Sequence, residues 1–194
     1  MKSIAISGSP RENVGKRDAK ELRYQDLVPA VLYGGATQSH FSVSASDLKA
    51  VVYTPVVHFI DLDIAGVKSQ AIIKDLQFHP LTEKLIHVDF LLLDQAKPVA
   101  IEIPVKLIGT SPGVKVGGKL VQKLRKLKVK ALPKDHIDFI EVSIEALEVG
   151  KSVKVAEISV PNLTILNTKE DTIVSVTTSR ALRQAEQEAA QGKK

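Results

Sequence analysis

No cysteine and no tryptophan occur in the 194 residues of this chain. The first absence excludes disulfides and thiolate metal sites, and it fits a reducing compartment. The second, with aromatic residues at only 4% of the chain, leaves little material for stacking single-stranded nucleic acid. No stretch approaches the roughly 20 apolar residues that a membrane-spanning helix needs. Met1 to Ala5 do not open a secretory signal either. A soluble, cytoplasmic protein without membrane attachment is expected. Phosphate-loop spacings such as GxxxxGKS and GxGxxG are missing, and so is a nucleophile elbow. No cofactor, small-molecule substrate or catalytic centre is expected.

What remains has ordinary globular proportions, with 44% hydrophobic and 25% charged residues. The length allows one or two domains with a proper core. Net charge is +5, and its distribution is uneven. Residues 1–95 carry 10 Lys+Arg against 11 Asp+Glu, and the remainder carries 17 against 11. The basic excess therefore lies in the second half.

Short apolar or alternating runs dominate and predict strands at Ser3–Ser7, Val28–Tyr33, His40–Val43, Val56–Ile64, Ser69–Phe78 and Leu85–Leu93. Ala65-Gly66-Val67 predicts a tight turn within a hairpin. Helices are expected at Asp18–Gln25 and from Ser46, an N-cap type residue, to Val52. Six or so strands with one or two short helices suggest a small closed or nearly closed barrel.

A boundary is expected near Asp94–Pro98, which divides a first domain, 1–95, from a second, 96–178. Strands in the second are expected at Val99–Ile108, Leu120–Leu132, Phe139–Ile144, Ser152–Val155, Leu163–Leu166 and Thr172–Thr177, paired antiparallel. The tail, 179–194, is expected to be helical or disordered, because it has little to bury. The predicted class is mainly β throughout.

Four groups of residues carry chemistry. His87-Val88-Asp89-Phe90 lies on a predicted strand, so His87 and Asp89 share one face about 7 Å apart. Alone, such a pair is more simply solvated or locally satisfied than functional. His79, His87 and Asp89 could begin a metal site, but nothing supplies third and fourth ligands, and no metal is expected. Arg11, Lys16, Arg17, Lys20 and Arg23 could contact phosphates, although Glu12, Asp18 and Glu21 are interleaved among them. A mixed charged helix face explains them equally well. Tyr33 sits at the end of an apolar strand before Gly34-Gly35, where it suits either a core rim or a polar contact.

The fourth group is a run of cations from Lys115 to Lys134 with no acid between them. In it, Lys126, Lys128 and Lys130 alternate with Leu127, Val129 and Ala131, so a strand presents three cations on one face. Such lysines either guard an edge strand against aggregation or face a polyanion. The acid-free density favours the second.

Taken in order, Arg11 with Gly15-Lys16, Leu22-Arg23, Pro29 to Gly35, Gln77-Phe78-His79-Pro80 and His87-Val88-Asp89-Phe90 resemble bacterial ribosomal large-subunit protein twenty-five. Val114 to Gly118 and Phe139 to Val142 resemble the long form of that family, called CTC or general stress type. The resemblance covers nearly the whole chain except the tail. It implies a β-barrel domain that binds 5S ribosomal RNA at its loop E region, followed by a β-rich domain. It places RNA contacts on Arg11, Arg23, Tyr33, His87 and Asp89, with Lys16 and Gln77 as weaker additions; the lysine row Lys126, Lys128 and Lys130, read from the charge run alone, is a second candidate RNA contact. Where short-form members often carry a Ser and two basic residues, this chain has Ala19-Lys20-Glu21. The implied partners are 5S rRNA, large-subunit rRNA and neighbouring ribosomal proteins, and the implied location is the ribosome. A stress-related protein-binding module that is not a permanent ribosome component is the competing reading.

Overall fold

The computed structural model describes residues 3–35 and 37–178. The expected tail, 179–194, lies outside the described residues. The described chain divides into two compact units. One comprises residues up to Ile101 together with Leu132–His136, and the other comprises Glu102–Ala131 and the residues from Ile137 onward.

The first unit is a closed six-stranded barrel. Its strands are β1 (Ser3–Pro10), β2 (Leu27–Tyr33), β3 (Ser39–Ser44), β4 (Phe59–Ile64), β5 (Val67–Phe78) and β6 (Leu85–Leu92). They close in the order β1-β3-β2-β6-β5-β4. Two of the seams are parallel: β1 lies beside β4, with Ile6 opposite Leu62, and β2 lies beside β6, with Val31 opposite Asp89. Alternation sends Ile6, Val28, Ala30, Phe41, Val43, Ile60, Leu62, Val88 and Phe90 inward, where all are buried. Phe41 and Phe90 meet at the centre with ring centroids 5.6 Å apart. Gly8 is small because Phe41 leans over it: a Cβ there would stand 2.5 Å from Phe41 Cδ2.

Two helices decorate the barrel. α1 (Lys16–Tyr24) buries no residue fully and packs along β2. α2 (Ala45–Val52) contributes Leu48 and Val51 to the barrel core. Its cap is Ser44, whose hydroxyl accepts from the Ser46 amide, so the helix begins one residue before the expected start. The predicted turn joins β4 to β5. Ala65 and Gly66 both take positive φ, 51° and 86°, and the Asp63 carboxylate accepts from the Gly66 amide at 2.9 Å.

The second unit is also β-rich, with one short helix, α3 (Pro112–Lys115). Its strands are β7 (Val99–Ile108), which opens in the first unit, then β8 (Lys119–Gln122), β9 (Lys126–Ala131), β10 (Ile140–Ser143), β11 (Ser152–Lys154), β12 (Thr164–Ile165) and β13 (Thr172–Thr177). They form a four-stranded sheet, β10-β7-β9-β12, and a three-stranded sheet, β11-β13-β8. Leu127, Val129, Ile103, Ile140, Val142 and Ile173 fill the core.

Two expectations need correction. Leu120–Leu132 is not one strand, because it breaks at Lys123-Leu124-Arg125, where the Lys123 and Leu124 amides both donate to Ile173 O. Pairing is not wholly antiparallel: β12–β9, β11–β13 and β13–β8 are, but β10 runs parallel to β7.

Candidate nucleic-acid interface

On the barrel's outer wall, residues in register stand side by side with their side chains on one face. Across β3, β2, β6 and β5, one row reads His40, Val31, Asp89, Asp75. The neighbouring row on β5 and β6 pairs Gln77 with His87, and on β2 and β6 the next step pairs Tyr33 with Leu91. Tyr33, Gln77, His87 and Asp89 therefore share a continuous patch, although Tyr33 belongs to a strand more than fifty positions earlier. Asp75 and His40 join it without having been singled out in the sequence. A register shift between Ile73 and Asp75 turns Asp75 onto this face. Leu91 and the buried Ile72 bound the patch on one side, where Val99 and Ile101 pack over them.

Within the patch, His87 Nδ1 stands 2.8 Å from Asp89 Oδ1, and both side chains keep a little over a quarter of their surface exposed. The approach fails hydrogen-bond geometry, so Nδ1 is buried without a hydrogen-bond partner despite the short distance. The pair is a close polar contact and not a hydrogen bond. Asp75 directly opposite Asp89 concentrates two acids on one row. Burial of the phenol, followed by the Asp89 and Asp75 charges, raises the Tyr33 pKa above its usual value, which keeps the hydroxyl protonated. The patch thus offers carboxylate acceptors, an imidazole, an amide and a neutral phenol. It is not a cation surface.

The cations lie beside it on and before α1. Arg23 sits in the last turn and its Nε donates to Ile86 O on β6 at 3.2 Å, which ties the helix to the strand of His87. Lys16 opens the helix and is exposed. Arg11 is not free. Its Nε donates to Asp18 at 3.1 Å, Nη2 donates to the same oxygen and to Asn13 O, and only 9% of its side chain is exposed. Arg17 is engaged by Glu21 at 3.3 Å, and Lys20 lies over the Tyr24 ring. At the turn after Tyr33, Gly34 takes φ +101°, and a Cβ there would stand 2.8 Å from Leu91 Cδ1. Glycine is what lets the chain leave β2 flush with the patch.

His79 does not join. Its Nδ1 accepts from the Leu81 and Thr82 amides at 3.3 and 3.2 Å, and so serves a local turn. Among the described residues no three His, Asp or Glu side chains gather as a metal site would require. None of the described helices is long and apolar enough to cross a membrane. In the second unit Lys126, Lys128 and Lys130 form the expected exposed row on β9.

Comparison with known proteins agrees with this organisation. The profile of the ribosomal L25p family matches residues 6–90. That of the C-terminal domain of ribosomal protein TL5 matches residues 98–180. The large ribosomal subunit protein bL25 of Cytophaga hutchinsonii is 48% identical over 190 residues, which cover 98% of this chain and 99% of that protein. The chain belongs to the ribosomal L25p family. Proteins of the same name from Phocaeicola vulgatus, at 45% identity over 95% of this chain and 97% of that protein, and from Amoebophilus asiaticus, at 44% over the full length of both, are further relatives. Membership in the L25p family places the chain among structural ribosomal proteins and not among enzymes. In L25p terms, the barrel coincides with the first matched segment and β7 to β13 with the second.

Proposed function

We propose that the chain is a structural constituent of the large ribosomal subunit and that its barrel binds 5S ribosomal RNA at an irregular, loop E-type region. The observation that carries this reading is the single outer wall on which Tyr33, Gln77, His87 and Asp89 stand together beside the cationic helix α1. A regular A-form helix hides base edges in a deep, narrow major groove, so a reading surface of this kind needs non-canonical pairs to act on. Asp89 accepts from exposed base amino groups, while His87 and Tyr33 donate to base, ribose or phosphate acceptors. Arg23 and Lys16 contact the phosphate backbone and set the register. Arg11 contributes by clamping the start of α1 through Asp18, so that its effect on RNA binding is indirect. Glu21, held by Arg17, stays out of the contact.

Chemical footprinting of 5S rRNA with the full chain tests this. Protection confined to one internal-loop region, lost on His87→Ala and Asp89→Ala together, is expected. Equal protection by the double variant would overturn the assignment of the face. Co-sedimentation with large subunits separates the reading from a module that works off the ribosome, which would remain unbound.

A further inference from the structure

We propose that the outer face of the β10-β7-β9-β12 sheet is a second RNA-docking surface, one that holds the phosphate backbone of a double-stranded rRNA segment without reading its bases. The inference rests on membership in a ribosomal family, not on which RNA the barrel binds. Lys126, Lys128 and Lys130 are exposed, while Leu127 and Val129 between them are fully buried and Ala131 is 5% exposed. Because a one-residue slip would expose the core and bury the lysines, the row is locked outward. Side chains two residues apart on a strand stand about 6.6 Å apart, so the row is a stiff comb about 13 Å long. Lys123 and Arg125 extend it beyond the strand and are also exposed.

Protection of a strand edge does not account for the row. β9 lies between β7 and β12, and its backbone is occupied on both sides. Val105 N donates to Arg125 O at 2.9 Å, Lys128 N donates to the Asn167 side chain at 2.7 Å, and Leu166 N donates to Lys128 O at 2.8 Å. No exposed edge is left for the lysines to guard.

Nor are the lysines balanced locally. Many exposed cations elsewhere have an acid beside them: Arg17 has Glu21, Lys84 has Asp26, Lys97 has Asp94 and Lys151 has Glu148. Among the described residues, none of Lys123, Arg125, Lys126, Lys128 or Lys130 has an ion pair. The acids on this face are Glu102 on β7 and Glu141 on β10, the latter directly opposite Lys106. Between Lys115 and Lys134 there is none.

The chemistry selects backbone over bases. Lysine donates but has no acceptor, and it acts as a point charge that any phosphate satisfies. The Asn167 amide oxygen, a possible base reader, is engaged by the Lys128 N–H. A comb of three cations, with the Thr164 hydroxyl opposite Lys130 as the neutral polar group beside it, fits the phosphates of a regular helix, whose bases are out of reach.

The test uses the full chain and the triple variant Lys126→Gln, Lys128→Gln, Lys130→Gln, with thermal unfolding as a check that the exposed changes leave the fold intact. Binding to an RNA duplex of arbitrary sequence is measured across salt concentrations. The slope of log K against log salt is expected to fall by about 2–3 for three lost phosphate contacts, a loss on the order of a hundredfold at 0.1 M salt. Large subunits reconstituted with either protein are then probed with hydroxyl radicals. The variant should lose protection of one ribose-phosphate tract and keep the footprint of the barrel. An unchanged slope with an unchanged footprint would overturn the proposal, as would crosslinks from position 128 that reach only protein. If the barrel footprint is absent from 5S rRNA while the lysine-dependent tract persists, the 5S reading falls and this surface stands.

Discussion

Replacing Asp89 by alanine should separate what stabilises the barrel from what recognises RNA. In the free protein Asp89 has two close polar neighbours, Asp75 and His87. Asp75 lies directly opposite on β5, and a like-charge cross-strand pair costs on the order of 0.2–1 kcal/mol. His87 stands 2.8 Å away, but the contact lacks hydrogen-bond geometry and both groups are partly exposed, which limits its worth to about 0–1 kcal/mol. Both terms are small and oppose each other, so Asp89→Ala should change unfolding free energy by no more than about 1 kcal/mol in either direction. Binding is different. A specific polar contact to a base is worth about 1–3 kcal/mol, a roughly 5- to 150-fold loss of affinity for 5S rRNA. Urea unfolding and filter binding at fixed salt read the two quantities on the same preparation. A variant that binds normally refutes the recognition role. One destabilised by more than about 2 kcal/mol refutes that balance, and would mean that Asp89 serves the fold.

Further outcomes follow from the same geometry. Phe90→Ala, which removes a fully buried ring and its 5.6 Å partnership with Phe41, should cost about 3–5 kcal/mol, measurable as a lower urea midpoint; a midpoint within experimental scatter of wild type would contradict the central packing. Gly34→Ala meets both a positive φ and a 2.8 Å approach to Leu91, so a loss of about 1–3 kcal/mol is expected by the same assay, and a stabilised variant would be incompatible with that backbone. Tyr33 holds its proton longer in the folded chain than in the unfolded one. The stability this gives is fully present below the unfolded pKa of tyrosine and is lost as pH rises through the folded value. The ultraviolet titration difference between wild type and Tyr33→Phe should have its midpoint above 10.0, and Asp89→Asn should move it down; a midpoint at or below 10.0 would refute the arrangement.

The barrel strands were legible because each has one buried face or a continuous apolar run, and local alternation records both. β7 and β13 match their predicted spans for the same reason. The break inside Leu120–Leu132 was legible too, in a signal that the expectation passed over. Apolar parity runs through Leu120 and Leu124, then switches to Leu127, Val129 and Ala131, and no uninterrupted strand can bury both sets on one face. The parallel seams are set by closure between distant segments, which leaves no local trace. At the interface, the shared face of His87 and Asp89 follows from a two-residue period. The capture of Arg11 by Asp18 depends on a loop path, and the arrival of Asp75 depends on a bulge. Neither is encoded in spacing.

The parallel seam between β2 and β6 also gives the interface an order of events. Val31 on β2 and Asp89 on β6 are paired although β3, β4 and β5 lie between them in the chain, so the pair closes a loop of more than fifty residues. Such distant contacts form late, because the loop they close must be ordered before they reward it. A chain that ends before β6 carries the cations of the α1 segment but lacks the strand of His87 and Asp89. It can be drawn to RNA by charge, yet it cannot discriminate. On the proposed reading, selectivity arrives with the last barrel strand, and completion of the fold is then itself the licence for assembly.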